Sequence, residues 1–138
     1  MVIMIYEVGQ KASFSKTITE TDVYSFAGIS GDFNPLHIDE IVAKESRFGR
    51  RIAYGALVAS FISTVLGMYL PGSGTIYLKQ ESEFLKPVYI GDTIRAEVEI
   101  VLIDERRKCT LKTIVFNQNN EIVLSGSALV KLPLQKEL

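Results

Sequence analysis

The sequence predicts an α+β domain in which an antiparallel sheet curves around one long apolar helix. Three features carry that expectation. Ile52 to Leu70 contains no charged residue, with Gly55 near its start and Pro71 after its end. Thr93 to Ile103 alternates: Ile94, Ala96, Val98, Ile100 and Leu102 fall on one side, and Thr93, Arg95, Glu97 and Glu99 on the other, the period of a half-buried strand. Two more strand-like runs, Lys108 to Phe116 and Glu121 to Lys131, follow across polar turns. A sheet with one polar face must cover something with the other, and a helix apolar all round needs that cover.

The chain has 138 residues, enough for a single domain (1–138) with a sizeable core. Hydrophobic residues make up 47% and charged residues 22%, as in ordinary globular proteins. A net charge of -1 gives no strong pull toward nucleic acid or membrane, so an anionic ligand would need local basic residues. The lone cysteine, Cys109, excludes an internal disulfide and fits a reducing, cytoplasmic compartment. It lies in a strand-like run and reads as a buried thiol rather than a nucleophile. No signal peptide is evident: the apolar start is short, lacks a basic region and meets Glu7 at once. The apolar segment reaches the lower edge of a membrane span. Gly55, Ser60, Ser63, Thr64 and Gly67 within it, and the strands that need something to pack on, favour a buried soluble helix.

In chain order, Lys11 to Ile18 can form a short strand. Thr19 can cap a helix running to about Ile29, with Asp22 completing a weak capping box and Gly31 ending the helix. Asp39 to Ser46 reads as a short helix with acidic residues in its first turn. Arg47-Phe48-Gly49-Arg50-Arg51 is a basic loop. From Gly55 to Leu70 a helix would run about 24 Å. Pro71-Gly72-Ser73-Gly74 is a turn. Thr75 to Phe84 alternates, with Ile76, Leu78 and Phe84 on one face and Lys79, Glu81 and Glu83 on the other. Lys86 to Asp92 breaks the pattern with Pro87 and a Gly91-Asp92 turn. Residues 132–138 are expected to fray. A sheet of this kind has edges, and edge pairing in a homodimer protects them.

Gly31-Asp32-Phe33-Asn34-Pro35-Leu36-His37 carries the candidate chemistry. It holds the only histidine. Asn34-Pro35 makes a bend, and a carboxylate and an imidazole on either side of a bend can hold and activate one water. Asp and Asn are also ordinary turn residues, so the residues alone leave a plain bend open. Gly55 at a helix start would let a ligand oxygen reach backbone N–H groups, where the helix end favours negative charge and an enolate could sit. On the residue alone, helix entry or close packing against the sheet is the simpler explanation. Ser60, Ser63 and Thr64 either bond back to carbonyls one turn earlier or touch substrate. Arg47, Arg50 and Arg51 either meet phosphates or form a solvated loop; Lys79 and Lys86 are weaker candidates. The Tyr54 hydroxyl is either a substrate contact or part of a packed helix start. Gly72-Ser73-Gly74 lacks the pattern of a phosphate loop, one histidine and one cysteine far apart do not make a zinc site, and no serine-nucleophile elbow is present.

Asp32-Phe33-Asn34-Pro35-Leu36-His37 resembles the Asp-x-Asn-Pro-x-His signature of the MaoC-like (R)-specific enoyl-CoA hydratases. The likeness extends over most of the chain: Tyr6-Glu7-Val8-Gly9-Gln10, Leu70-Pro71-Gly72-Ser73-Gly74 and Pro87-Val88-Tyr89-Ile90-Gly91-Asp92 each resemble a family segment. The last of these is shared with hot-dog proteins in general. The resemblance implies a hot-dog fold working as a homodimer, no metal or redox cofactor, and reversible hydration of a trans-2-enoyl thioester, with short- or medium-chain enoyl-CoA as the expected substrate. It implies that Asp32 and His37 handle the water and its protons, that the Gly55 N–H holds the thioester oxygen, and that Ser63 lines the site. Two departures stand out: Tyr54-Gly55 replaces the His-Gly of many relatives, and Arg51 replaces a proline common just before. Rival readings are the same chemistry on an acyl carrier protein or a branched or carboxylated acyl group, a hot-dog acyl-CoA thioesterase, and a non-catalytic acyl-CoA-binding dimer. The paired Asp32 and His37 argue against the last two.

Overall fold

The computed structural model describes residues 5–134. Five strands form one antiparallel sheet: β1 (Lys11–Thr17), β2 (Ile76–Phe84), β3 (Thr93–Ile103), β4 (Lys108–Phe116) and β5 (Ile122–Lys131), in the order β1-β3-β4-β5-β2. The helices are α1 (Glu20–Ser30), α2 (Pro35–Ile38), α3 (Glu40–Glu45) and α4 (Gly55–Met68). α4 packs on β1, β2, β3 and β4, the one-helix-on-sheet arrangement of the hot-dog fold. Ile62, Val65 and Leu66 from the helix are buried with Ile94, Val98 and Ile100 of β3, Leu111 and Val115 of β4 and Leu124 of β5. Burying each such side chain contributes about 1.5–3 kcal/mol.

Local chemistry sets the helix ends, for α1 as expected and for α3 with Asp39 as the cap rather than a first-turn residue. The Thr19 side chain accepts from the Asp22 N–H while the Asp22 carboxylate accepts from the Thr19 N–H, so two orphan donors of α1 are satisfied reciprocally. Gly31 ends the helix with φ 78°, a left-handed conformation that glycine adopts without Cβ strain. Asp39 caps α3, its Oδ1 accepting from the N–H groups of Ile41 and Val42.

Four expectations need correction. α4 is not covered all round: Ala56, Ser60, Ser63 and Gly67 are exposed, and their spacing puts them on one stripe. The alternation of β2 is out of phase because the register slips between Tyr77 and Lys79. Phe84 lies opposite buried Leu124 and so faces the core side, whereas Ile76 lies opposite exposed Lys131 on the other. A second slip between Ile100 and Leu102 leaves Leu102 exposed and lets Ile103 pack on the core. The frayed tail does not begin at 132: Leu132 is buried and its N–H donates to the Arg107 carbonyl, and the Arg107 guanidinium bonds the Pro133 carbonyl. Residues 135–138 of that segment lie outside the described residues.

Candidate active site

The candidate loop is held by its own short side chains. Asp32 Oδ1 accepts from the Asn34 N–H at 3.0 Å, and Asn34 Oδ1 accepts from the Leu36 N–H at 3.2 Å. The second bond caps α2, and Pro35 sits in its first turn, where its fixed φ suits the helix and its missing N–H costs nothing. What the sequence reads as a bend is therefore a bend followed by a single capped turn, and that turn carries His37.

His37 is 9% exposed. Its Nδ1 lies 2.6 Å from the carbonyl oxygen of Ile52. A carbonyl can only accept, so Nδ1 donates, and in the neutral imidazole Nε2 is the nitrogen that keeps the lone pair. Ile52 is itself fixed: its N–H donates to the Leu36 carbonyl and it bridges to Tyr89, while the Ala53 N–H donates to the Val88 carbonyl at 2.7 Å. The Gly91-Asp92 turn anchors this partner segment. Asp92 Oδ2 accepts from the Tyr89 N–H, Oδ1 accepts from the Gln118 side chain, and the Asp92 carbonyl accepts from the Ile18 N–H. The Pro87–Asp92 motif thus acts at a distance, by holding the carbonyl that orients the histidine.

His37 and Gly55 line one open cleft of about 370 Å³. Arg47 and Lys86 contribute charge to its wall; Val58, Phe84, Leu85, Val88 and Val123 make it apolar. Gly55 begins α4, and no side chain caps that helix end. Its first N–H groups are the positive end of the helix dipole. The constraint on the glycine is one of space rather than of backbone conformation, and it is set by the half-exposed Phe84 ring. A Cβ on Gly55 would lie 2.9 Å from Cε1 of Phe84, so an alanine would displace the ring.

The other sequence candidates are dispersed. Asp32 is exposed and is not in the cleft wall. Its backbone carbonyl accepts from the Tyr54 hydroxyl at 2.5 Å. Tyr54 is 2% exposed, outside the cleft wall, with its ring against His37. Ser63 lies on the exposed stripe of α4 and also outside the cleft wall. Of the three arginines, Arg47 reaches the cleft. Arg50 stacks 3.9 Å over the Tyr89 ring in a separate, smaller depression that Lys86 also lines. Arg51 turns to α1, bonding the Glu20 carboxylate and, at 2.8 Å, the Tyr24 hydroxyl. The Arg51 bond holds the Glu20 carboxyl below its usual range. Cys109 is buried, and burial pushes its thiol up to about 11, which suits an inert core residue. Sequence reading missed Phe84 as a wall of the site, because the β2 slip hides which way it faces.

Comparison with known proteins gives a consistent answer. The family model for the MaoC like domain matches residues 6–121. The (R)-specific enoyl-CoA hydratase of Aeromonas caviae is 46% identical over 92% of this chain and 96% of its own length. The 3-hydroxybutyryl-CoA dehydratase of Methylorubrum extorquens is 45% identical over 95% of this chain and 83% of its own. The solved structure of the A. caviae (R)-hydratase superposes with a TM-score of 0.91, covering 93% of this chain and 98% of that one. On the motif, the fold and these likenesses together, the chain belongs to the MaoC-like domain family.

Proposed function

We propose that the protein catalyses the reversible hydration of trans-2-enoyl-CoA to (R)-3-hydroxyacyl-CoA, as a hydro-lyase. The observation that carries this is the meeting, in one cleft, of a histidine with an oriented free Nε2 and the uncapped N-terminus of α4 at Gly55. The high identity to named hydratases and a 3-hydroxybutyryl-CoA dehydratase supports the same reading and favours short- or medium-chain acyl groups.

The chemistry follows from those two halves. A water oxygen forms a bond to C3 as His37 Nε2 takes one of its protons. The electron pair of the C2–C3 double bond moves toward the thioester, and the Gly55 N–H stabilises the enolate oxygen. C2 then collects the proton that the Asp32–His37 pair took up, which returns the pair to its starting state, and the net change is addition of one water. Asp32 lies outside the cleft wall, and its share in the proton transfers rests on the Asp-x-Asn-Pro-x-His motif it forms with His37. The chemistry uses no metal or redox cofactor. The protein works as a homodimer in the cytoplasm. The dimer is supported by the open edge of β2, by exposed Met68, Tyr69, Ile76 and Leu78, and by the exposed stripe of α4. Among the described residues no helix is long and apolar enough to cross a membrane.

Incubation with crotonyl-CoA tests this directly. Loss of enoyl absorbance without thiol release, with (R)-3-hydroxybutyryl-CoA as product, is the expected result; thiol release would make the protein a thioesterase. Asp32→Asn and His37→Gln each lower kcat by at least about a hundredfold. Near-wild-type turnover by either folded variant removes the assignment.

A further inference from the structure

Tyr54 precedes Gly55 at the start of α4, and it touches both the Asp32 loop and the His37 ring. The hydroxyl donates to the Asp32 carbonyl at 2.5 Å. The ring lies 3.9 Å, centroid to centroid, from the His37 imidazole at an interplanar angle of 34°. Phe26 of α1 backs it from another side at 4.9 Å and 44°. With Tyr54 only 2% exposed, the ring is wedged in the core and cannot drift. The next residue is Gly55.

We infer that Tyr54 is a positioning residue that braces the Asp32 loop and the His37 ring against the start of α4, fixing the distance between the water-handling pair and the oxyanion donor. This rests on the hydratase reading of the site. The sequence reading offered Tyr54 as a substrate contact, but the side chain is absent from the cleft wall. Two details favour bracing. First, the hydroxyl remains a donor: burial, reinforced by the Asp32 charge, raises it above the ordinary phenol range. Second, Tyr54 is the N-cap of α4 yet makes no side-chain cap bond. A Ser, Thr, Asp or Asn there would accept from the first N–H groups of the helix. Tyrosine instead spends its polar atom on the Asp32 loop and leaves those donors to the cleft.

The two contacts can be removed separately. Tyr54→Phe keeps the ring against His37 and loses the tie to Asp32. Tyr54→Leu keeps apolar bulk and loses both. If Tyr54 positions the pair, kcat for crotonyl-CoA hydration falls about tenfold in Tyr54→Phe and about a hundredfold in Tyr54→Leu, with KM within about twofold of wild type, since misplacement of about 1 Å costs that order of rate. His37 is the only histidine, so its ring protons are directly assignable by NMR. Their ring-current displacement persists in Tyr54→Phe and collapses in Tyr54→Leu. A rise in KM at unchanged kcat would make Tyr54 a substrate contact and overturn the inference. So would unchanged kcat in both variants, or imidazole signals indifferent to Tyr54→Leu. Should Tyr54→Leu not fold, the kcat and KM of Tyr54→Phe decide. Wild-type protein inert toward crotonyl-CoA but with intact Tyr54-dependent histidine signals would sink the hydratase reading and leave the brace standing.

Discussion

Strands β3 and β2 read alike in sequence and end differently in the molecule. Each alternates apolar with charged residues. In β3, Ile94, Ala96, Val98 and Ile100 are at most 1% exposed. In β2, Ile76, Leu78 and Phe84 are 56%, 46% and 56% exposed. The cause is their neighbours: β3 lies between β1 and β4 with α4 across its face, whereas β2 pairs only with β5 and ends the sheet. The two halves of the candidate site divide in the same way. His37 and its support are completed by hydrogen bonds within one chain. The apolar wall contributed by Phe84 and Leu85 belongs to the open side. A single chain thus completes the His37 side of the cleft and leaves the Phe84–Leu85 side exposed.

The contrast breaks most visibly in the core. Ile100→Ala in β3 removes a fully buried side chain, and its expected cost is about 2–5 kcal/mol in denaturant-induced unfolding. Ile76→Ala in β2, measured at a concentration where sedimentation finds single chains, costs no more than about 0.5 kcal/mol. Similar losses for the two would mean that β2 is buried within its own chain.

A somewhat smaller effect is expected where β2 meets the rest of the sheet. A Cβ on Gly126 would lie 1.8 Å from the Glu81 carbonyl oxygen, a backbone atom that can yield only if the strand moves. Gly126 pairs with Ser82 in the β5–β2 ladder. Gly126→Ala therefore pushes β2 away from β5 at a cost of about 1–3 kcal/mol. Hydrogen exchange localises it: β2 amides exchange faster while those of β3 keep their protection. Equal loss in both strands would show that β2 is not a separable edge.

How far the fold was legible follows from the same contrast. Elements governed by local chemistry were readable: the Thr19–Asp22 capping box, the Gly31 stop, and the inward row of β3 up to Ile100. A bulge adds one residue and reverses the phase of everything beyond it, so the faces of Ile76, Phe84 and Leu102 were misread. At the site, Asp32, Asn34, Pro35 and His37 stand together in one short motif, and the side-chain bonds of Asp32 and Asn34 that shape the loop each span two residues. The orientation of His37 was not, since it depends on the carbonyl of Ile52, itself held by Val88 and Tyr89 across the chain. Arg51 stood as either a phosphate contact or part of a solvated loop, because nothing near it in sequence reveals its pairing with Glu20 and Tyr24. Tyr54 announced itself only as a departure, and its two contacts come from distant segments.

The finest test compares one thiol on each side of the contrast. Cys109 in β4 is fully buried, and burial pushes its thiol up to about 11. Only the thiolate reacts with a disulfide reagent, so at pH 8 Cys109 stays unlabelled until the chain unfolds. The same shift fixes a sign in alkali. As pH rises past the ordinary thiol range of about 8.5 toward about 11, the unfolded chain releases a proton that the folded chain keeps. Stability attributable to Cys109 therefore falls with rising pH over that window; Cys109→Ala flattens this part of the pH–stability curve. Leu78→Cys places a second thiol on the exposed strand, and at pH 8 it reacts readily in dilute protein. If a second copy covers β2, its labelling slows as protein concentration rises while Cys109 remains silent throughout. A Leu78→Cys labelling rate independent of concentration up to full sedimentation as a dimer would place the interface elsewhere, and the open wall of the cleft would then have to be closed by something other than a second copy of this chain.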